Sequence, residues 1–201
     1  MDYDLLLKNI GKHISLLPEE EEKVLSKLTE RRFRKGEFIN SEGEINRYTN
    51  FVVKGSARTF YIDNNGHEHI IQLAIREWWI GDFTSFISQQ PGMLYTMALE
   101  DLEMLSLTYE NLQTLYREVP KLERFFRILI QKAYASFQLR TLQNLSFDAE
   151  QRYISFRNAY PEMDQQISQK HIASYLGMSA EFLSKIKKRI VERERRLKKE
   201  L

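Results

Sequence analysis

The segment Ile167–Ile190, ISQKHIASYLGMSAEFLSKIKKRI, constrains this chain most. Its pattern predicts two short helices meeting at a glycine corner, the second of them basic. That is the layout of a helix-turn-helix unit, which seats its second helix in the major groove of DNA. Ser168 is placed to cap a first helix over Gln169–Leu176, and Gly177 supplies the left-handed residue that ends it. Ser179 caps a second helix from Ala180 onward. Ile172, Leu176, Met178, Leu183, Ile186 and Ile190 fall at the spacing of one buried seam, with Ala173 small where the helices cross. The opposite face presents Ala180, Glu181, Ser184, Lys185 and Lys188. Glu accepts from cytosine N4, Lys donates to guanine O6 and N7, and Ser suits several base edges. Gln169, Lys170, Lys187 and Arg189 are placed to bind phosphates, which positions a protein on DNA without reading sequence. The capping serines, Ser168 and Ser179, complete the DNA-contacting set.

Charge supports this reading. The net charge is only +2, yet residues 165–201 hold ten Lys/Arg against four Glu, while residues 1–164 hold 20 basic and 24 acidic side chains. A basic C-terminal piece on an acidic body marks a local polyanion site. The plain alternative for the stretch after Val191 is a solvated helical tail, since Glu192, Glu194 and Glu200 are interleaved there.

Three regions precede or contain this segment. Residues 1–118 begin helical over 1–30, with Pro18 ahead of four glutamates at a helix start. Six of the eight glycines then fall between residues 36 and 92 and punctuate short runs such as Tyr48–Lys54, Ala57–Ile62 and His69–Ala74. Asp63-Asn64-Asn65-Gly66 is a hairpin signal, so a β-roll of jelly-roll type is expected here. Residues 119–146 predict one long helix, roughly 37 Å over Lys121–Leu145 at 1.5 Å per residue. Its apolar face is wider than one β-domain needs. Leu122, Phe126, Leu129, Ile130, Ala133 and Phe137 are therefore expected to meet a second copy in a parallel pair; packing on its own domain alone is the other reading. Residues 147–201 form the helix-turn-helix domain, winged-helix-like, entered through a further helix over Phe147–Tyr160. The fold class is thus α+β.

The absence of cysteine excludes disulfides, zinc–thiolate sites and cysteine-held iron–sulfur clusters. No apolar run approaches the roughly 20 residues that span a bilayer, and Met1–Ile10 lacks a signal-peptide layout, so a cytoplasmic protein with no membrane partner is expected. His67 and His69 project from one face of a strand beside the turn, but no third metal ligand is near in sequence, and an exposed hairpin is expected. His13 and His171 are assigned to structure. No nucleophile–base pairing, phosphate loop or carboxylate dyad stands in a catalytic setting, so no enzyme is expected.

Glycine-punctuated roll, long helix and helix-turn-helix, in that order, resemble the Crp/Fnr family of bacterial transcription regulators over nearly the whole chain. The resemblance rests on Phe51-Val52-Val53-Lys54-Gly55-Ser56-Ala57-Arg58, on Trp79-Ile80-Gly81-Asp82, and on Ile172-Ala173-Ser174-Tyr175-Leu176-Gly177 with Leu183-Ser184-Lys185-Ile186. The last pair is similar to the subgroup common in Bacteroidetes. The resemblance implies a cyclic-nucleotide-binding-like roll and a homodimer that binds a two-fold DNA operator and contacts RNA polymerase. One Ala180–Lys188 helix would read each half-site, the two about 34–36 Å apart. Glu181 matches the family's acidic reader, Lys185 stands where many members have Arg, and Ala180 stands where Arg is common. Lys for Arg loses the bidentate fork.

Members that bind cyclic AMP follow a Gly-Glu pair with a cassette whose Arg meets the cyclic phosphate. Here the pair is Gly81-Asp82, and no Lys, Arg or His lies between Arg76 and Arg117. A phosphate beside carboxylates without a paired cation is unfavourable. Cyclic AMP is not expected, and the cassette reads as degenerate. Arg58 or Arg76 would have to reach in from another strand. An unknown small-molecule effector would be lined by Arg58, Arg76, Trp79, Gly81, Asp82, Phe83, Tyr95 and Thr96, with Trp78 and Phe86 adding aromatic surface. The plainer reading of these aromatics is a filled core. The functional alternative is a small-molecule receptor whose helix-turn-helix unit serves protein interaction rather than DNA binding.

Overall fold

The structure, a computed structural model, describes residues 1–197. Lys198, Lys199 and Glu200 of the basic C-terminal charge lie outside the described residues. Two helices open the chain, α1 (Tyr3–Gly11) and α2 (Pro18–Ser26), the latter with Pro18 in its first turn. The helical reading of residues 1–30 ends too late, because β1 (Thr29–Phe33) already pairs antiparallel with β8 (Leu102–Thr108) from Thr29 onward.

The strands between are β2 (Phe38–Asn40), β3 (Tyr48–Lys54), β4 (Ala57–Ile62), β5 (Glu68–Ala74), β6 (Trp79–Ile80) and β7 (Tyr95–Ala98), with the short helix α3 (Phe83–Ser88) between the last two. They form two four-stranded antiparallel sheets, ordered β1-β8-β3-β6 and β2-β7-β4-β5. Ile39, Val52, Ala57, Ala74, Ile80, Ala98, Leu102 and Met104 form a core that draws on strands of both sheets. The expected roll is borne out, and its hairpin works as read: Asp63 Oδ1 accepts from the amides of Asn65 and His67 at 2.9 Å each, and Gly66 takes φ 81°. Gly55 has no substitute at the β3–β4 turn. At φ 88° it lies so close that a Cβ would stand 2.5 Å from the Asp101 carbonyl oxygen.

Beyond β8 all regular structure among the described residues is helical: α4 (Tyr109–Glu118), α5 (Lys121–Ser146), α6 (Ala149–Ala159), α7 (Pro161–Gln166), α8 (Gln169–Tyr175) and α9 (Ala180–Leu197). The winged-helix expectation is corrected on this point, since no strand follows β8 there. Pro161 occupies the first turn of α7. Asp148 breaks α5 from α6 by capping the latter, its Oδ1 2.8 Å from the Gln151 amide.

The 26-residue α5 has two unlike parts. Leu122, Phe125 and Phe126 are buried with Leu5, Leu6, Phe51, Leu112 and Leu115, and Leu129 packs on the same cluster. Leu122, Phe126 and Leu129 are therefore corrected from the expected pairing face to the chain's own core. From Ile130 the helix leaves that core, and Ile130, Ala133 and Phe137 are exposed.

A second hydrophobic cluster joins the roll to the C-terminal helices. Phe60, Ile70, Leu73 and Ile75 meet Tyr153, Phe156, Met163, Ile172, Leu183 and Ile186 in it. The roll and helices α6–α9 are thus welded through shared apolar surface.

Candidate nucleic-acid interface and roll interior

The α8–α9 corner is built as its residues dictate. Ile172, Ala173, Leu176, Leu183, Ile186 and Ile190 are all buried in one cluster, with Met178 and Ala180 packed against it. Gly177 sits at φ 68° and donates its amide to Ser174 O at 3.1 Å, closing α8. Ser179 Oγ accepts from the Phe182 amide at 3.2 Å and so caps α9. Ser168 differs from expectation. It sits at the start of α8, but its side chain makes no cap, and its carbonyl takes the amides of His171 and Ile172 instead.

The outer face of α9 presents Glu181, Lys185, Lys188 and Arg189 to solvent, with Ser184 half-buried beside them. Glu181 accepts hydrogen bonds from its own amide and the Ser179 hydroxyl, which hold its carboxyl below the ordinary range and keep it an anionic acceptor. Lys170 is exposed on α8. Two of the expected phosphate contacts are engaged elsewhere. Lys187 donates to Asp164 Oδ1 at 2.9 Å and lies 5.1 Å from the Tyr153 ring centroid. Gln169 donates its side-chain amide to Ala180 O at 3.2 Å, bracing the turn. Both are corrected to structural roles. Arg189 keeps a loose ion pair at 3.6 Å with Glu150 and is 63% exposed in its side chain.

Sequence reasoning missed Phe182, an exposed aromatic in the first turn of α9. The available signal was its position one residue off the Leu183–Ile186–Ile190 seam. It also missed how α8 is held. Ser174 Oγ donates to Glu68 O at 2.9 Å and accepts from the Ile70 amide at 3.3 Å, so one hydroxyl satisfies both groups of the β5 edge. Arg140 of α5 donates to Ile71 O at 2.8 Å, and its guanidinium lies 4.4 Å from the Tyr175 ring centroid. No sequence pattern links the ends of these three hydrogen bonds, which are 69 to 106 residues apart.

The eight proposed effector residues do not gather around one cavity. Arg58 is buried and forms a fork on Glu68, with N–O distances of 2.6 and 2.8 Å and its guanidinium over Phe60. That guanidinium in turn holds the Glu68 carboxyl below the ordinary range. Arg76 is exposed, 3.3 Å from Asp2. It lines an open cleft of about 440 Å³ with Lys54, Glu100 and Glu103, and of the eight it alone does so. Trp79 is packed among the rings of Phe51, Phe125 and Phe126. Phe83 faces solvent. Tyr95 stacks on Phe60 at 5.4 Å and donates to Glu42. Thr96 is buried against Thr59, and Gly81 lies under the Asn46 and Asn50 amides. Trp78 instead borders a crevice of about 200 Å³ with Ile75, Tyr160 and Met163.

Asp82 occupies the place where the sequence sets its cassette. It is buried and caps α3 (Phe83–Ser88), its Oδ1 3.0 Å from the Ser85 amide, while Asn46 donates to its carbonyl. A side chain at Gly92 would overlap the Asp82 carboxylate. The two histidines of the hairpin, His67 and His69, both lean on Asp63, at 3.5 and 3.0 Å.

The strand order and the Gly81-Asp82 corner, with Asp82 buried, define the roll. Residues 30–119 match the cyclic nucleotide-binding domain family. Among curated proteins, none matches this sequence. Solved structures share the fold. FixK2 of Bradyrhizobium japonicum aligns with TM-score 0.72 at 20% identity, over 83% of this chain and 86% of that one. CLP of Xanthomonas campestris, a c-di-GMP-responsive global regulator, aligns with TM-score 0.70 at 15% identity, over 88% of this chain and 92% of that one. The catabolite activator protein of Thermus thermophilus aligns with TM-score 0.57 at 24% identity, over 90% of this chain and 86% of that one. The likeness spans the cyclic nucleotide-binding domain and the helices beyond it. No helix among the described residues is long and apolar enough to cross a membrane.

Proposed function

We propose that this chain is a homodimeric, sequence-specific DNA-binding transcription regulator of the Crp/Fnr type that does not take cyclic AMP as its effector, its roll sensing an unknown signal or only bracing the dimer. The observation that carries the reading is the outer face of α9. Glu181, Lys185, Lys188 and Arg189 stand in solvent on a helix whose underside is locked into the core. A basic helix held that way presents base-reading and phosphate-binding groups without reorganisation. In this reading α8 and α9 are the helix-turn-helix, and RNA polymerase is the further partner.

Dimerisation is supported by α5. Ile130, Tyr134, Phe137, Leu142 and Leu145 are 42–82% exposed on one chain. Burying apolar surface is worth about 25 cal/mol per Å², so a second α5 laid alongside would stabilise it strongly. Two parallel helices then bring both α9 faces to one side, where operator half-sites lie about 34 Å apart.

Three observations argue against cyclic AMP. Arg58 is already forked onto Glu68, and Arg31 is engaged by Asn50 Oδ1 and Ile39 O. Asp82 places its own carboxylate on α3. A cyclic phosphate entering there would meet the Asp82 carboxylate, with the Arg58 guanidinium already committed to Glu68.

Fluorescence anisotropy of genomic DNA fragments titrated with the protein tests the proposal. Binding is expected to weaken steeply as salt rises, because phosphate contacts release counterions, and to be unchanged by added cyclic AMP. Absent or salt-insensitive binding would assign the α8–α9 unit to a protein partner instead. Tightening by cyclic AMP would overturn the effector statement alone.

A further inference from the structure

We infer that Phe182 reads thymine, its ring resting on the C5-methyl group of one thymine in each operator half-site. This rests on the proposed DNA-binding role of α9 and assigns a specificity residue within it. Leu183, Ile186 and Ile190 bury the underside of α9, and Met178 and Ala180 pack on the same cluster. Phe182 does not join them. It is 45% exposed and makes no ring–ring or cation–ring contact among the described residues. Leaving nearly half of a phenylalanine in water forgoes part of the gain of burying it, so the ring is open surface with no aromatic or cationic partner among the described residues.

Its position names the partner. Phe182 lies in the first turn of α9, held by the Ser179 cap through its own amide. The first turn is the part of a reading helix that meets base edges. Glu181 precedes it, and Lys185 and Arg189 follow at three and seven residues, on the same side of the helix. A ring framed by exposed cations suits a polyanion better than an apolar protein face. Within the major groove, thymine alone offers an apolar group, its methyl. Glutamate and lysine then cover the polar edges of neighbouring pairs, and Phe182 supplies what they cannot recognise.

The test uses the full-length chain and duplexes it selects from a randomised DNA library. Each thymine is replaced in turn by deoxyuridine, which removes only the methyl group. At one position per half-site, wild-type affinity is expected to fall about fourfold, the worth of one buried methyl. Phe182→Ala is expected to bind thymine and uracil duplexes equally at that position, with binding to random DNA unchanged. Phe182→Leu retains part of the preference. Indifference of the wild type to uracil at every position overturns the inference while leaving DNA binding intact. So does a Phe182→Ala variant that still discriminates, which would move the contact to Ala180. Failure to enrich any duplex sinks the DNA-binding reading, and this inference with it.

Discussion

Lys185 and Lys187 are two residues apart on one helix and have opposite fates. Lys185 stands in solvent on the outer face of α9. Lys187 turns inward to Asp164, with side chains 29% and 15% exposed, and covers the Tyr153 ring. Residue order assigned Lys185 to the base-reading face and Lys187 to phosphate, because it carries no information on where α7 lies. The two are expected to separate cleanly. Lys185→Ala should cost about 1–3 kcal/mol of specific DNA affinity with an unchanged melting temperature. Lys187→Ala should cost about 1–2 kcal/mol of folding stability, between the exposed and buried limits for an ion pair. Anisotropy and thermal unfolding on both variants read the difference. Equal losses of affinity would return Lys187 to the DNA face.

At the scale of elements, α5 is the informative one. Its length and both ends were legible, since no Gly or Pro interrupts residues 121–160 and Asp148 caps the next helix. Which of its apolar residues face inward was not. Leu122, Phe126 and Ile130 fall on one helical stripe by spacing, yet the first two complete a cluster with α1, α4 and β3, and the third is left outside. The roll ends partway along the helix, and only the tertiary arrangement says where. Phe137, beyond that point, is 53% exposed. Phe137→Glu is expected to convert a dimer to a monomer at micromolar concentration in sedimentation experiments, because two facing carboxylates would be buried without partners. Its melting temperature at high dilution should match that of the diluted wild type. A Phe137→Glu protein that stays dimeric would remove this part of α5 from the interface.

In the whole molecule the decisive region is the seam between the roll and α8. Ser174 closes the β5 edge, and the Arg58–Glu68 fork lies beside His171. Burial is the main cause that pushes the His171 pKa down to about 4, with Arg58 and Lys170 adding repulsion and Glu68 opposing them. Its Nδ1 is buried without a partner among the described residues. The folded chain therefore prefers neutral His171. Above its ordinary pKa of about 6.5 folded and unfolded chains hold equal protons at this site, and nothing is lost. As pH falls from there toward 4, the unfolded chain takes up a proton that the folded one refuses, and stability declines. His13, also lowered by burial, acts in the same sense. Thermal unfolding at pH 7 and pH 5 should show a smaller drop for His171→Gln than for the wild type. An identical drop would mean that the seam opens before the imidazole is protonated.

Local physics of the chain fixed the elements: glycine turns where positive φ is needed, caps at Asp63, Asp148 and Ser179, and the apolar seam that joins α8 to α9. Those signals act over a few residues, so they are written in order along the sequence. The partners of Arg58, Ser174 and Lys187 were decided only when distant segments met, since each charge or hydroxyl is quenched by a group that folding alone brings within bonding distance. That is why the basic helix was visible from residue order, while the identity of its free side chains belonged to the tertiary structure.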